Sequence, residues 1–304
     1  MQRIGIPLPC PSCPERVIAY PYPRTHAHTQ DIMLILSIFP GIDLLGRGFE
    51  AEGFCVVRGP DVLWGGDIRG FHPPAGRFEG VIGGPPCQDF SRARRSAPTG
   101  YGLEMLSEFA RVVTEAKPMW FLMENVPTVP TLDVHGYHVQ RVDLDARECD
   151  SAQSRLRHFQ YGDQRGYIII CERSPKSAEA EPCCMATEGK RSSRRRTWAD
   201  FCELQGLPRD FTLPGMSIEA RYKAVGNGVP IPMARVIARS VTAARAPVGF
   251  RVCECGCGRP VGGRRVTATV ACRKRLQRQR DLVGVTVSGM VTLFECESPG
   301  ESQC

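Results

Sequence analysis

The sequence predicts an α/β protein built around a largely parallel sheet. Two observations carry that reading. From residue 33 onward, short apolar runs of strand length alternate with amphipathic helical patterns, and such alternation leaves parallel strands covered by helices on both faces. Glycine-bearing turns with polar, chemistry-capable residues also follow several of the predicted strands directly, which is where open parallel sheets bind ligands.

In chain order, residues 1–32 form a Pro-rich segment (Pro7, Pro9, Pro11, Pro14, Pro21, Pro23) without apolar periodicity, expected to be a flexible tail. Its Cys10 and Cys13 have C-x-x-C spacing, but a lone pair lacks two of the four ligands of a structural zinc site. Met33, where the first strand begins, is an alternative start. Strands are predicted over Met33–Phe39, Cys55–Arg58, Val62–Trp64, Gly80–Ile82, Met119–Met123 and Tyr167–Cys171. Helices are predicted over Leu45–Ala51 and Leu103–Glu115, the second with Leu103, Leu106, Phe109, Ala110 and Val113 on one face. Ser174–Arg196 is polar and ends in a basic cluster, and helical patterning returns at Thr197–Leu204 and Met233–Ala243. Near Pro247 the composition shifts to Cys, Gly and Arg.

Composition narrows the function classes. The 304 residues are 42% hydrophobic and 23% charged, as in a soluble globular protein rather than a disordered chain. No run approaches the roughly 18–20 apolar residues of a membrane span, and the apolar run Ile32–Phe39 lies too far in, with the wrong flanks, for a signal peptide. Lys plus Arg is 39 against 32 for Asp plus Glu, a net charge of +7 that permits a polyanionic partner. The 15 cysteines are odd in number and fit no disulfide framework. Metal ligands and reactive thiols in a reducing, cytoplasmic compartment are the expectation.

Five segments could carry chemistry. In Phe39-Pro40-Gly41-Ile42-Asp43, Gly41 after a strand lets the backbone pass close to a bound cofactor, ahead of a helix N-terminus. Asp61 and Asp67 follow predicted strands, where an acid commonly accepts ribose hydroxyls; taken alone, each reads first as an exposed loop carboxylate. Gly83-Gly84-Pro85-Pro86-Cys87-Gln88-Asp89-Phe90-Ser91 is a rigid loop on which Cys87 is either a held nucleophile or a structural thiol. Glu124, in Phe121-Leu122-Met123-Glu124-Asn125-Val126, ends an apolar strand, where desolvation suits proton donation. Arg155 and Arg157, at i, i+2 on one side of an extended segment, form either an anion-gripping fork or a solvated pair. Gly226-Asn227-Gly228-Val229-Pro230 is a turn leading into a helix.

The order F-P-G-I, G-P-P-C-Q-D-F-S, E-N-V, Q-S-R-L-R, G-N-G-V-P-x-P resembles the DNA cytosine-5 methyltransferases, from about Ser37 to Ala238. The resemblance implies a Rossmann-like sheet that uses S-adenosylmethionine and acts on double-stranded DNA. It makes Cys87 the nucleophile at C6 of a flipped cytosine and Glu124 the contact at N3. Arg157 and Arg155 would position the base, and Phe39, Gly41, Asp61, Asp67, Ile68, Pro85, Leu103, Asn227 and Val229 would form the cofactor shell. Chemistry agrees with the implied roles: cytosine C5 is a poor nucleophile until a thiolate adds at C6, and neither face of a stacked base is open to attack. The implied organisation is a catalytic domain over 33–173 and 219–246, a short target-recognition region over 174–218, and a Cys-rich basic tail over 247–304. The implied setting is a monomer in bacterial or phage cytoplasm, near the nucleoid, with three roles open: beside a restriction endonuclease, in bacteriophage defence, or as a solitary regulatory enzyme. A silent DNA-binding regulator would lack Cys87, Glu124 or the arginines, and all are present. For an RNA-directed enzyme of the same fold, the P-C-Q context is the wrong signal.

Three departures stand out. Ser37 replaces the family's acid before F-x-G, and Asp43 replaces its second glycine. Within the recognition region only Ser174–Arg196, roughly twenty residues, lies between the last core strand and Thr197–Pro208, which predicts a short or relaxed target or recognition shared with another segment. Cys253, Cys255, Cys257 and Cys272 are expected to close a zinc site, in a pattern resembling small zinc-ribbon tails that end in A-C-R-K-R. The basic residues from Arg264 to Arg280 are expected to meet DNA phosphates.

Overall fold

The structure is a computed structural model that describes residues 33–91, 94, 97–176, 180–190, 195–246, 251–255, 260–261, 265–267 and 269–288. The Pro-rich tail with Cys10 and Cys13, and Cys257 among the expected zinc ligands, lie outside these residues.

The elements run β1 (Leu34–Ile38), α1 (Leu44–Glu50), β2 (Cys55–Arg58), β3 (Gly80–Gly83), α2 (Tyr101–Ala116), β4 (Trp120–Asn125), β5 (His138–Asp145), β6 (Gln153–Ser154), β7 (Leu156–Asp163), β8 (Glu181–Pro182), α3 (Trp198–Leu204), α4 (Ile218–Asn227), α5 (Ile231–Thr242), β9 (Arg251–Val252), β10 (Pro260–Val261) and α6 (Val270–Ser288). Six strands form one sheet in the order β2-β1-β3-β4-β7-β5. The first four are parallel, and β7 runs antiparallel to both β4 and β5. Strand order reverses beside β1, so a crevice opens at the carboxyl ends of β1 and β3.

Side chains of the central strands alternate between two apolar layers, as the two-residue period of a strand requires. Trp120 and Leu122 pack with Phe49, Met233 and Ile237 on the α1/α5 face. Phe121 and Met123 pack with Leu36, Ile38, Phe109 and Val113 on the α2 face. Helices therefore cover both faces, and the predicted α/β class holds with an antiparallel edge added.

Three local expectations are corrected. Val62–Trp64 is a 3-10 turn rather than a strand, because the Asp61 side chain caps it by accepting from Leu63 N. Tyr167–Cys171 is not a strand. The side chain of Gln140 takes the place of a neighbouring strand there, donating to Ile169 O at 2.9 Å and accepting from Ile169 N at 2.8 Å. On α2 the buried stripe is Met105, Leu106, Phe109, Val112, Val113 and Ala116, which leaves Leu103 off it and 55% exposed.

The described part of 174–218 packs against the catalytic layers. Cys184, Phe201, Cys202 and Leu207 form an apolar cluster with Tyr222 and Val225 of α4 and with Ile42 and Leu44 beside the first loop. Among the described residues, no helix is long and apolar enough to cross a membrane.

Candidate active site

A cavity of about 500 Å³ opens at the carboxyl ends of β1, β3 and β4. One end is built from the loops after β1 and β2. Gly41 has φ +56, a conformation that glycine adopts without strain. Both of its backbone groups are tied to the loop after β2, its N–H to Asp61 Oδ2 at 2.8 Å and its carbonyl to Trp64 Nε1 at 2.7 Å. Asp61 thus joins the two lips of the cavity. Asp67 caps the next 3-10 turn by accepting from Arg69 N at 3.0 Å. That turn is held to α2 by Arg111, which donates to Ile68 O at 2.8 Å and Phe71 O at 3.0 Å.

The two departures near this loop meet in space. Ser37 Oγ donates to Asp43 Oδ1 at 2.9 Å, and Gly46 N donates to the same oxygen as the cap of α1. Arg58 Nε stands 2.9 Å from Asp43 Oδ2. The Asp43 carboxylate thus lies within hydrogen-bond reach of the Ser37 side chain. Burial raises the Asp43 pKa, and its bonds to Ser37 and Arg58 oppose that shift.

The other end carries the reactive groups. Cys87 is half-buried at the start of a 3-10 turn over Gln88–Phe90. Burial pushes its thiol pKa up, the Glu124 charge adds to the rise, and Arg157 and Arg155 oppose it. Glu124 ends β4 with its Oε1 2.9 Å from Arg157 Nε. Burial likewise raises the Glu124 carboxyl, against the charges of Arg157 and Arg155. The loop before Cys87 runs close to this acid, and a Cβ on Gly84 would sit 3.0 Å from Glu124 Oε2. Any other residue there would push the Glu124 carboxylate by a few tenths of an ångström.

Phe39, Gly41, Asp61, Asp67, Ile68, Pro85, Asn227 and Val229 all line the cavity, together with Cys87, Glu124 and Arg157. Two of the expected residues are placed elsewhere. Leu103 faces solvent, and its helix offers Tyr101 and Met105 to the cavity instead. Arg155 is 2% exposed and spends its guanidinium on carbonyls, bonding Cys184 O at 2.8 Å and Gly226 O and Gly228 O at 2.9 Å. It fixes the turn that presents Asn227 and Val229. Its role in this geometry is positional.

Sequence reasoning passed over several residues. Asn125 is buried, and its Nδ2 donates to Pro85 O at 3.0 Å, fastening the Cys87 loop to β4. Asp89 accepts from Thr99 N at 3.0 Å and Gly102 N at 2.9 Å, tying the same loop to the start of α2. Ala220, Lys223 and Ala224 line the cavity at helical spacing along α4, on the side that carries the expected Asn227. The signal for these was the helix itself, which the G-N-G turn obscured.

A family model described as C-5 cytosine-specific DNA methylase matches residues 65–182 and 172–243. The chain belongs to this family. Among curated relatives is Type II methyltransferase M.HgiDI of Herpetosiphon aurantiacus, 39% identical over 168 residues that cover 45% of this chain and 54% of the relative. Type II methyltransferase M.NgoPII of Neisseria gonorrhoeae is 28% identical over 174 residues, covering 46% of this chain and 51% of the relative. The chain spans about half the length of the curated relatives it matches. In solved structures the fold is similar to that of the Entamoeba histolytica methyltransferase EhMeth, with TM-score 0.54 and 11% identity over 70% of this chain and 99% of that one. It is also similar to Spodoptera frugiperda DNMT2, with TM-score 0.51 and 12% identity over 69% of this chain and 99% of that one. At such identities the likeness concerns the fold, and it agrees with the Rossmann-like sheet.

Proposed function

We propose that this chain transfers a methyl group from S-adenosylmethionine to C5 of cytosine in double-stranded DNA, through a covalent Cys87–C6 adduct on a flipped base. The observation that carries the proposal is the meeting of Cys87, Glu124 and Arg157 in one cavity, with Arg157 Nε 2.9 Å from Glu124 Oε1.

The residues at the first end fit the cofactor. Phe39, Ile68, Pro85 and Val229 give apolar walls, and Asp61 and Asp67 stand at the rim. Each Asp61 oxygen holds one backbone N–H, which leaves lone pairs for hydroxyls. S-adenosylmethionine bound there supplies an electrophilic methyl group.

Cys87 Sγ, as the thiolate, adds to C6. Glu124, whose carboxyl pKa is raised by burial against the charges of Arg157 and Arg155, shares a proton with N3 and stabilises the charge that develops during the addition. Arg157 holds the carboxyl group of Glu124 in place. C5 then has enamine character and takes the methyl group. Loss of the C5 proton to water breaks the S–C6 bond and returns the thiolate, while N3 gives its proton back to Glu124. One methyl thus enters the base, one proton leaves to solvent, and S-adenosylhomocysteine is the thioether product. Flipping is required because a stacked base blocks both faces from attack. A restriction endonuclease partner belongs to the same reading.

Transfer of labelled methyl groups to duplex DNA, with bisulfite sequencing of the product, tests the proposal. Protected cytosines at a short recurring site are expected. Absence of cytosine methylation with cofactor and duplex both in excess would overturn it.

We further infer one structural zinc held by Cys253, Cys255 and Cys272, whose sulfurs lie buried within 4.8 Å of one another, with Cys257, outside the described residues, as the expected fourth ligand. Thr269 Oγ1 donates to Cys272 Sγ at 3.0 Å, a bond that favours a thiolate ligand. Metal analysis of protein purified without chelator is expected to give about one zinc per chain, lost in Cys272→Ser. Metal-free wild-type protein would contradict the assignment.

A further inference from the structure

No described residue of the Cys-rich segment lines the cavity, yet the segment is fastened to the same end of the sheet as the reactive groups. β9 and β10 pair as a short antiparallel ribbon, and Cys253 and Cys255 follow β9 directly. Cys272 lies in the first turn of α6. Val261 and Leu276 pack with these three cysteines in one small core.

Helix α6 has two unlike faces. Successive helical residues step by about 100°, which puts Cys272, Arg275 and Leu276 on one side and Arg273, Lys274 and Arg278 on the other. The first side faces inward. Arg275 Nη1 is 2.6 Å from Asp143 Oδ2, and the other oxygen of Asp143 is 2.6 Å from His158 Nδ1. A buried carboxylate anchored on both oxygens is a fixed attachment point, unlike an exposed ion pair that is free to come apart.

The sheet register locates the attachment. Asp143 of β5 lies opposite His158 of β7, and His158 lies opposite Asn125 of β4. The anchor therefore stands two strand spacings, roughly 10 Å, from the end of β4 that carries Glu124 and Asn125. It is at the end of the sheet where a DNA base must enter. On the outward side Arg273, Lys274 and Arg278 are exposed and make no ion pair among the described residues. Three cations on one helix face with no ion pair to a described residue suit a row of phosphates.

We propose that α6 is a second DNA-contacting surface, anchored to the sheet edge by Arg275 on Asp143, with Arg273, Lys274 and Arg278 neutralising backbone phosphates of the duplex whose cytosine enters the cavity. This rests on the reading of the chain as a DNA methylase. It also gives a physical role to the short recognition region: contacts absent there are made in part by the tail.

The test is the salt dependence of duplex binding by the full chain, followed by fluorescence anisotropy on a labelled oligonucleotide duplex across a potassium chloride series. Each neutralised phosphate contributes about 0.9 to the slope of log K against log salt. The triple variant Arg273→Gln, Lys274→Gln, Arg278→Gln is expected to flatten that slope by about 2 to 3. Arg275→Gln is expected to flatten it as well while zinc content stays at the wild-type value, because the helix is folded but no longer held. The double variant Arg235→Gln, Arg239→Gln on α5 controls for net charge and is expected to keep the wild-type slope. A triple variant with the wild-type slope, or a control that loses as much, overturns the inference. Labelled methyl transfer by the same wild-type preparation separates the two failures. Methylating protein with an unchanged variant slope sinks only the role of α6, whereas salt-dependent binding without any methylation sinks the methylase reading.

Discussion

Around Gly41 the cavity wall is held by carboxylates that accept backbone N–H groups, whereas around Glu124 it is held by side chains that bind other side chains and carbonyls. Asp61 and Asp67 each hold a turn in shape and stay near solvent. Glu124 and Asn125 are buried, the one against Arg157 and the other against Pro85 O. Shape is what the first end must keep, and one lost hydrogen bond changes shape a little. Charge and aim are what the second end must keep. There a lost partner leaves a buried polar group without compensation.

The comparison is broken most sharply at Glu124. Glu124→Gln should lower the methylation rate about 100-fold, the usual cost of removing one group that stabilises developing charge. The same change should move Cys87 the other way. Glu124 raises the thiol pKa by its charge, so its removal lowers that pKa and increases the thiolate fraction at a given pH. Alkylation of Cys87 by iodoacetamide at about pH 8 should therefore quicken while methylation slows. Equal slowing of both would mean a damaged fold rather than a lost charge.

Asn125→Ala should come next, with a loss of about 10-fold in rate and little change in cofactor affinity. The Cys87 loop would lose its tie to β4, and small misplacements of a nucleophile are costly. Single-turnover methylation beside cofactor titration separates the two quantities. Asp61→Asn should have the smallest effect, weakening S-adenosylmethionine binding about 3- to 10-fold, as expected for weakened hydrogen bonds to a charged group. Isothermal titration without DNA measures it. A larger loss at Asp61 than at Glu124 would reverse the comparison.

Sequence reasoning reached the parallel half of the fold because β1, β3 and β4 are continuous apolar runs. It did not reach β5 and β7. Their buried polar residues are satisfied by partners far along the chain, as His158 is by Asp143 of β5 and Gln160 by Leu132 N and Pro130 O, and no local pattern announces such pairs. Gln140 hid a second feature by doing with its side chain what a strand does with its backbone. At the site, Cys87, Glu124 and Arg157 were legible as residue types at strand ends. Arg155 was legible as an arginine but not as a buried clamp, since the carbonyls it holds lie up to 73 residues away. Leu103 matched by position while its helix turned it outward. Ser37 and Asp43 read as two separate losses, and only the structure shows their 2.9 Å contact.

The central claim is that Cys87 forms a covalent bond to the target base. Duplex DNA with 5-fluorocytosine at the methylated position tests it directly, because fluorine replaces the proton whose loss ends the reaction. With S-adenosylmethionine present, wild-type protein should give a denaturation-resistant adduct of one chain per duplex by mass spectrometry, with the modified peptide containing Cys87. Cys87→Ser should give none while still binding the cofactor, since a neutral hydroxyl is a far poorer nucleophile than a thiolate. An adduct on another cysteine, or methylation by the Cys87→Ser protein at the wild-type rate, would contradict the account.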